Sequence, residues 1–437
     1  MVYDCERTVA GFWLGGTQAT ACRAGGDDSR RLVSGTRSEM MTDLSTTRPG
    51  LAIIANCIAP YRVYLHTQVA ERIPELQLHT LITHGAAEFD WKVDVPASIN
   101  TTYFGAPGES PLVRTLSTAH WEWRKGGRII RYLQENNVRA VIMNGYRYLS
   151  YLRVINYCHR AGIPLFGRND SNICCERSLP TWKRWLKARV YGWWIPRTAG
   201  IMSMGQFGDQ FFLKYGADRS RLYRVPCLPD LDLFARGMPD RLEGFRRKYG
   251  LSVDRRYLLY SGRLAAKKRV DLLVDAFAAV ADARPEWDLI VVGDGVCGDD
   301  LRRRVPERLR SRVIWTGFQE LEGCVAAYHA ADVLVLPSDR EPWAVVVQEA
   351  MAAGLPVVSS DVVGAARDLV EDRVSGRIFP VGNGAALEQA ILDVTDAQAI
   401  AEYQRGAKSA LAEWRVRVDP VAEIRRALIN CSVIGAS

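Results

Sequence analysis

The fold is decided by the stretch Glu341-Pro342-Trp343-Ala344-Val345-Val346-Val347-Gln348-Glu349, which continues as Ala350-Met351-Ala352-Ala353-Gly354-Leu355-Pro356-Val357-Val358. Two carboxylates stand eight positions apart, with an uncharged run between them. In a helix this spacing places both on one face, about 12 Å apart along the axis. Pro342 suits a first helical turn, whose free N–H groups can hold an anion. The stretch predicts a ligand-binding helix; the alternative is an amphipathic helix with two surface acids.

The residues just before Glu341 strengthen the ligand-binding interpretation. Val333-Leu334-Val335-Leu336 is a buried strand that ends in a loop. With it, the stretch resembles the C-terminal half of retaining family 4 glycosyltransferases, whose hallmark is Glu-x7-Glu followed by Ala-Met-Ala-x-Gly-x-Pro-Val-Val. The resemblance covers about residues 50–425 and is strongest over 257–381. It implies an α/β protein of the GT-B fold, with two Rossmann-like, doubly wound parallel-sheet domains that face an interdomain cleft.

The alternation of strands and helices agrees with that fold. Apolar, β-branched runs in the first half lie at 51–56, 76–84, 140–143, 165–166, 201–205 and 223–226. The second half repeats the pattern at 257–260, 289–292, 313–316, 333–336 and 357–359. Strands that alternate with helices predict parallel sheets. Two such sheets in series place a ligand cleft at the carboxyl ends of both.

Four segments are predicted along the chain. Residues 1–49 lack a helical or strand period, and we expect a disordered or non-native extension with an authentic start near Met41. Residues 50–235 form an N-terminal, acceptor-binding domain, and residues 236–400 form a C-terminal domain that binds a nucleotide sugar. Residues 401–437 form a helical tail, which in the resembled fold returns to the N-terminal domain.

Composition narrows the class of protein. The 437 residues are 48% hydrophobic and 24% charged, which is ordinary for a soluble globular protein. A net charge of +8 favours anionic partners such as sugar nucleotides or membrane surfaces, and it is too diffuse to argue for nucleic acid. No run of 18 apolar residues predicts a transmembrane helix. The ten cysteines include no Cys-x-x-Cys pair, which argues against zinc and suits a reducing cytosol.

A second motif follows the first strand of the second half. It reads Ser261-Gly262-Arg263-Leu264-Ala265-Ala266-Lys267-Lys268-Arg269. Gly262 permits close approach of the backbone to a ligand, and Arg263 and Lys268 add positive charge beside a helix N-terminus. A solvated basic turn is the alternative. Gly262, Arg263, Leu264, Lys268 and Asp271 match the family, in which this Arg and Lys bind the donor diphosphate, whereas Arg269 stands where the family has Gly.

The resemblance also implies roles for the remaining donor residues. Val292-Gly293-Asp294-Gly295 matches a family turn, and the base is held near Thr316-Gly317-Phe318. Glu349 is assigned to the ribose hydroxyls and Glu341 to the transferred sugar. The implied catalytic residues are Glu341, Arg263 and Lys268. The implied donor-binding residues are Gly262, Arg263, Lys268, Gly293, Gly295, Phe318, Glu341, Trp343, Ala344, Val345 and Glu349.

The charges in these motifs predict chemistry without a metal or another cofactor. Arg263, Lys268 and a helix N-terminus can stabilise the negative charge that grows on a departing diphosphate. A carboxylate can stabilise the positive charge that grows on the sugar ring. Metal-dependent glycosyltransferases use an Asp-x-Asp motif after a donor-domain strand. The one such pattern here, Asp230-Leu231-Asp232, lies between the halves, and we interpret it as a linker turn.

The acceptor side gives a weaker signal. Many family members carry a His after the strand at 140–143, whereas this chain has Asn144-Gly145-Tyr146. Asp170 follows a strand and is expected in the cleft, although it could instead cap a helix. Arg62 could meet an acceptor phosphate. The predicted acceptor-side residues are therefore Arg62, Tyr146 and Asp170.

Residues 181–197 predict either a membrane-surface helix or an ordinary packed one. The segment holds five Lys or Arg residues and no acid. Trp182, Trp185, Leu186, Val190 and Trp193 recur at helical spacing. A basic helix with an aromatic stripe can lie on an anionic bilayer. The same stripe can also pack on a sheet.

Together these features predict a cytoplasmic, metal-independent, retaining glycosyltransferase, and the 181–197 helix leaves peripheral contact with an anionic membrane open. It would transfer a sugar from a nucleotide diphosphate to a saccharide or lipid-linked acceptor, in the synthesis of a surface polysaccharide or glycolipid. Two alternatives remain: a sugar-nucleotide epimerase on the same fold, and a non-catalytic sugar-nucleotide-binding subunit. A dinucleotide oxidoreductase is disfavoured, because no Gly-x-Gly-x-x-Gly follows the first strand.

Overall fold

The computed structural model describes residues 48–84, 93–105, 116–176 and 179–435. Over these residues the chain forms one seven-stranded and one six-stranded sheet, both parallel throughout. Nearly all of the predicted N-terminal extension lies outside the described residues. The predicted pair of Rossmann-like halves is confirmed.

The first sheet has the strand order β3-β2-β1-β4-β5-β6-β7. Its strands are β1 (Gly50–Ala55), β2 (Gln77–Ile82), β3 (Thr101–Tyr103), β4 (Val138–Asn144), β5 (Leu165–Arg168), β6 (Gly200–Ser203) and β7 (Leu222–Arg224). The helices of this half are α1 (Pro60–Arg72), α2 (Leu116–Glu135), α3 (Leu149–Ala161), α4 (Thr181–Trp194) and α5 (Gln206–Lys214). Short 3-10 helices lie at Ala97–Ile99, Ile173–Glu176, Ile195–Arg197 and Arg219–Arg221.

Two helices, α6 (Leu231–Arg236) and α7 (Pro239–Tyr249), lead into the second sheet. Its strands are β8 (Arg256–Ser261), β9 (Trp287–Val292), β10 (Val313–Gly317), β11 (Val333–Leu336), β12 (Val357–Ser360) and β13 (Gly376–Phe379). Its helices are α8 (Val270–Val280), α9 (Gly298–Arg304), α10 (Leu321–Ala330), α11 (Val345–Ala352), α12 (Gly364–Leu369) and α13 (Gly384–Val394). Ala266–Lys268 and Glu307–Arg312 are 3-10 helices.

The strand order reverses at one point in each sheet. In the second sheet, whose order is β10-β9-β8-β11-β12-β13, the reversal falls between β8 and β11. In the first it falls between β1 and β4. Loops leave such neighbouring strands in opposite directions, so each sheet has a crevice at this point.

Alternate residues of the central strand β1 serve two cores. Ala52 and Ile54 pack with one buried cluster, and Leu51 and Ile53 pack with another. Successive side chains of a strand point to opposite faces, so both faces of this sheet are covered. The continuous apolar run at 51–55 is therefore the expected sequence of a fully buried strand.

The C-terminal tail connects the halves. Helix α14 (Ile400–Arg417) packs on the second half, whereas α15 (Pro420–Asn430) packs against the core of the first. Asp419, between the two helices, caps α15 through the N–H groups of Val421 and Ala422 and forms an ion pair with Arg72. The tail thus holds the first half to the second by apolar burial and by charge.

Truncation of a tail side chain is expected to destabilise the first half. Ile424 is 1% exposed within that core. Ile424→Ala should lower the free energy of unfolding by about 2–5 kcal/mol in urea titrations, because it leaves a cavity. Val416→Ala is the matched control, since Val416 is 87% exposed. Equal effects of the two substitutions would contradict the packing described for α15.

Candidate active site

A cavity of about 630 Å³ lies between the two halves. One wall comes from α1 and Asp94 of the first half. The other comes from loops that follow β8, β9, β10 and β11 and from the first turn of α11. These walls include the reversal point of the second sheet, where open parallel sheets bind ligands. The lining holds the predicted residues Gly262, Arg263, Lys268, Gly293, Phe318, Glu341, Ala344, Val345 and Glu349.

An ion pair between Lys268 and Glu341 lies in this cavity. The Glu341 side chain is 3% exposed and the Lys268 side chain 12%. Lys268 Nζ contacts Glu341 Oε2, whereas Glu341 Oε1 has no hydrogen-bond partner among the described residues. A buried acceptor without a partner is costly, so a ligand hydroxyl at this oxygen would be stabilising.

The helical start predicted for the acidic motif is wrong. Glu341 and Pro342 lie in a loop, and α11 begins only at Val345. Ala344, just before it, has φ +79°, in the left-handed region. The carboxylates of Glu341 and Glu349 therefore do not share a helix face. The N-terminus of α11 does open into the cavity through Ala344, Val345 and Val346, and its unpaired N–H groups can bind an anion.

Two loops of the second half meet through glycines. A Cβ on Gly293, at φ +124°, would lie 1.9 Å from the carbonyl oxygen of Gly262. A Cβ on Gly295, at φ +156°, would lie 2.4 Å from that of Leu264. Gly295 does not line the cavity described here. A glycine at this position lets the loop after β9 pack on the loop that carries Arg263.

Arg269 keeps the turn that a glycine would favour. Its φ is +51°, in the left-handed region. The guanidinium forms ion pairs with Asp271 at 3.1 Å and Asp339 at 3.2 Å. These contacts hold the Arg residue in a conformation that costs about 1 kcal/mol or more elsewhere. An Arg residue at this position therefore adopts the left-handed backbone conformation that a glycine adopts readily.

Glu349 lies on α11 and lines the cavity. Its Oε2 accepts a hydrogen bond of 2.9 Å from the Tyr328 hydroxyl. Burial raises the pKa of Glu349 to about 7, although the Tyr328 hydrogen bond lowers it. Tyr328, which the sequence analysis did not single out, thus positions this carboxylate.

Trp343 does not line the cavity in the described structure. Its side chain is buried, and Nε1 donates to Gln348 Oε1 at 2.9 Å. The ring lies 6.3 Å from that of Trp414 on α14. Trp343 therefore anchors the Glu341 loop to the tail, while Phe318, 37% exposed, projects from the loop after β10 into the cavity.

The three predicted acceptor-side residues lie outside the cavity lining. Arg62 is buried and donates to the carbonyl oxygen of Cys57 at 2.6 Å and to Asn56 Oδ1 at 3.1 Å. Tyr146 packs 4.9 Å from Tyr191 and 5.1 Å from Trp194, measured between ring centres. Both side chains support the first half from within.

Asp170 follows β5 in the first half and lies outside the cavity lining. Burial raises the pKa of the Cys175 thiol to about 12, and the carboxylates of Glu341 and Asp170 add to this effect. The side chain that caps the nearby 3-10 helix is Asn172, whose Oδ1 accepts from the Cys174 N–H at 2.7 Å, and not Asp170.

Asn172 makes a contact between the halves that the sequence analysis did not predict. It is 1% exposed. Its Nδ2 lies 3.3 Å from the Glu341 carbonyl oxygen, 3.4 Å from that of Pro342 and 3.2 Å from that of Val362. A first-half side chain thus holds the loop that carries Glu341.

The linker turn predicted at Asp230-Leu231-Asp232 is wrong. The segment is the start of α6. Asp230 caps the helix by accepting from the Leu233 N–H at 3.0 Å, and it lines the cavity. Asp232 pairs with Arg415 at 2.9 Å. Among the described residues, no three or more His, Cys, Asp or Glu side chains are grouped to hold a metal. None of the described helices combines the length and apolarity needed to cross a bilayer.

Residues 243–410 match the family model for glycosyl transferases group 1. The matched segment carries the Lys268–Glu341 pair and Glu349. Over 183 residues the chain is 31% identical to alpha-D-kanosaminyltransferase of Streptomyces kanamyceticus, which corresponds to 42% of this chain and 47% of that protein. It is 36% identical over 185 residues to D-inositol 3-phosphate glycosyltransferase of Xylanimonas cellulosilytica, or 40% of this chain and 43% of that protein. The chain thus spans just under half the length of each relative.

The fold comparison extends to the first half. The structure resembles that of HepE from Anabaena, solved with UDP and glucose, with a TM-score of 0.66 at 18% identity. The match covers 88% of this chain and 100% of HepE. The predicted GT-B fold is thereby confirmed.

The raised pKa of Glu349 makes stability depend on pH. Between the unfolded pKa and about 7, the unfolded state releases a proton that the folded state keeps, so the free energy of unfolding falls as pH rises. Glu349→Gln removes this dependence. From about pH 5 to pH 8 the variant should gain up to about 3 kcal/mol relative to the wild type in urea titrations.

The matched control for this pH series is Glu413→Gln, an exposed carboxylate on α14. If the stability difference between Glu349→Gln and the wild type stayed constant over the same pH range, Glu349 would not be protonated in the folded state.

Proposed function

We propose that the protein is a retaining, metal-independent glycosyltransferase. It transfers a sugar from a nucleotide-diphosphate sugar to a saccharide or lipid-linked acceptor, in the synthesis of a surface polysaccharide or glycolipid. The observation that carries the proposal is the Lys268–Glu341 ion pair inside the cavity between the halves. We place the reaction in the cytoplasm, at the inner face of the cell membrane, with no cofactor besides the donor substrate.

The second half supplies a binding site for the donor. Arg263, Lys268 and the N-terminus of α11 line one cavity, and together they offer positive charge and N–H donors to a diphosphate. Glu349 is available for the ribose hydroxyls, and Phe318 for the base. HepE was solved with UDP and glucose, and this supports a nucleotide-diphosphate sugar as the donor.

The charges support glycosyl transfer over simple binding. When the diphosphate leaves, negative charge grows beside Arg263 and Lys268, which stabilise it without reorganisation. Positive charge grows on the sugar ring, and the Glu341 carboxylate can stabilise it. The unpaired Glu341 Oε1 is the oxygen that remains for the sugar. No metal ion is needed in this arrangement.

The first half supplies the acceptor side. Tyr61, Tyr64 and Asp94 face the donor residues across the cavity. Asn172 brings the same half to the Glu341 loop. Closure of the halves on a ligand would exclude water and align the acceptor with the sugar.

An acceptor-dependence assay distinguishes the proposal from its alternatives. Each UDP-, GDP-, ADP- and dTDP-sugar is first screened for a rise in the melting temperature, because a ligand that binds the native state stabilises it. With the stabilising sugar, a transferase releases nucleoside diphosphate only when an acceptor is supplied. Conversion of the sugar without acceptor would indicate an epimerase, and binding without any turnover would indicate a non-catalytic subunit.

Loss of Lys268 should affect the diphosphate specifically. Lys268→Ala is expected to lower turnover by about 10²–10³-fold, since one stabilising donor to the leaving group is removed. Calorimetry should show weaker binding of the nucleoside diphosphate and unchanged binding of the free nucleoside. Lys248→Ala, an exposed lysine on α7, is the matched control. Full activity of Lys268→Ala would rule out the assigned phosphate role.

Asn172 is expected to act by positioning Glu341. Asn172→Asp keeps the size of the side chain but replaces the Nδ2 donor by an oxygen that repels three carbonyl groups. Turnover should fall by about tenfold or more, because displacement of a reacting group by about 1 Å is expensive. The KM for the donor should change much less.

The control for this series is Asn169→Asp, because Asn169 contacts Tyr191 within the first half, at 3.4 Å. If the two aspartate variants were equally active, Asn172 would have no part in orienting the Glu341 loop.

A further inference from the structure

The described residues expose an unusual set of tryptophans. Trp121 and Trp123 of α2 are 65% and 53% exposed, and Trp182 and Trp185 of α4 are 55% and 63% exposed. Indole side chains bury more area than almost any other, and water around them is unfavourable. The packing of the described residues leaves these four rings more than half exposed. Their outward position indicates a partner surface.

The apolar stripe of α4 faces solvent, whereas the apolar stripe of a packed helix faces the core. Trp182, Trp185, Leu186 and Arg189 lie at positions i, i+3, i+4 and i+7, so they share one face. All four are exposed, whereas Tyr191 and Trp194 at the end of the helix are buried. The predicted alternative of a helix packed on the sheet therefore holds for its C-terminal turn only. Its first two turns present the apolar stripe outward.

Each exposed indole lies beside a cation. Arg124 lies 5.9 Å from the ring centre of Trp121, and Arg153 lies 4.6 Å from that of Trp123. Lys183 lies 5.5 Å from Trp182, and Arg189 lies 5.4 Å from Trp185. Helix α4 has no acidic residue. Helix α4 therefore attracts anions, whereas on α2 the carboxylate of Glu122, between the two tryptophans, pairs with Lys125.

The two helices form one layer of the acceptor half. Residues of α2, α3 and α4 pack in the same buried cluster on one face of the first sheet. Arg153 of α3 donates to the Trp123 carbonyl oxygen at 2.6 Å. Arg153 lies in the second turn of α3, the helix that follows β4. The exposed tryptophans and the proposed acceptor site therefore belong to the same half.

We infer that this tryptophan surface, formed by Trp121, Trp123, Trp182, Trp185 and Leu186 with their neighbouring cations, docks on an anionic lipid bilayer. Indoles favour the boundary between headgroups and acyl chains, and Lys or Arg beside them are attracted to an anionic surface. Helix α4 combines an exposed apolar stripe with cations only, and this pairing of apolar burial with basic charge is what holds a helix on an anionic bilayer. The bilayer would bring a lipid-linked acceptor to the first half.

The choice of a lipid-linked acceptor rests on the proposed function, whereas lipid binding itself does not. The full chain is sedimented with phosphatidylcholine vesicles that contain or lack phosphatidylglycerol. We expect binding to the anionic vesicles, weakened by salt, and about tenfold less to the neutral ones. No binding of the wild type to anionic vesicles would overturn the inference.

Variants assign the binding to the surface. Trp182→Ala/Trp185→Ala and Trp121→Ala/Trp123→Ala should each reduce the vesicle-bound fraction, and together by about tenfold or more. Val253→Ser/Val416→Ser is the matched control, because these side chains are 75% and 87% exposed on the second half. Unchanged binding of the four-tryptophan variant would overturn the inference. The inference would also be overturned if the wild type were a dimer and these substitutions dissociated it without changing vesicle binding.

A nucleotide measurement separates this inference from the proposed function. The rise in melting temperature caused by the nucleoside diphosphate should be equal in the wild type and the tryptophan variants. Vesicle binding without sugar transfer would support membrane docking and contradict the proposed transferase function. Sugar transfer without vesicle binding would support the transferase function and contradict membrane docking.

Discussion

The buried ion pair of Lys268 and Glu341 is the interaction on which the site depends. Two charges are expensive to bury unless they are paired, and neither has a second charged partner within hydrogen-bonding distance in the described structure. Lys268 follows β8 and Glu341 follows β11, and these strands pair directly through Leu258–Val333 and Leu259–Leu334. The register of the sheet therefore determines that the cation and the carboxylate meet at the reversal of strand order.

The first half then determines how the pair is presented. Asn172 donates toward the carbonyl oxygens of the Glu341 loop, and Asp368 of α12 accepts from the Gln206 N–H at 3.2 Å. The tail adds a third connection, since α14 packs on the second half and α15 on the first. The loop that carries Glu341 is therefore held from both halves of the chain, beside the cavity that lies between them.

The sequence predicted the sheets better than it predicted the site loop. Buried parallel strands are continuous apolar runs, so β1, β9 and β11 are evident without a structure. Strand β3 has three residues and no buried side chain, and its pairing with β2 is a tertiary effect. The irregular start of the acidic motif depends on Gly364, whose N–H donates to the Glu341 carbonyl oxygen at 3.2 Å. A contact between positions so far apart leaves no local pattern at Pro342 or Ala344.

The predicted cations and carboxylates met because short motifs follow strands whose carboxyl ends share one edge. The acceptor side lacks such motifs, and Arg62 and Tyr146 lie outside the cavity lining. The most direct test of the central claim is a crystal structure of the protein with a nucleoside diphosphate. The account predicts a diphosphate within hydrogen-bonding distance of Lys268 and Arg263, at the N-terminus of α11, with Glu341 facing the position of the sugar. A nucleotide bound elsewhere, with the Lys268–Glu341 cavity vacant, would contradict it.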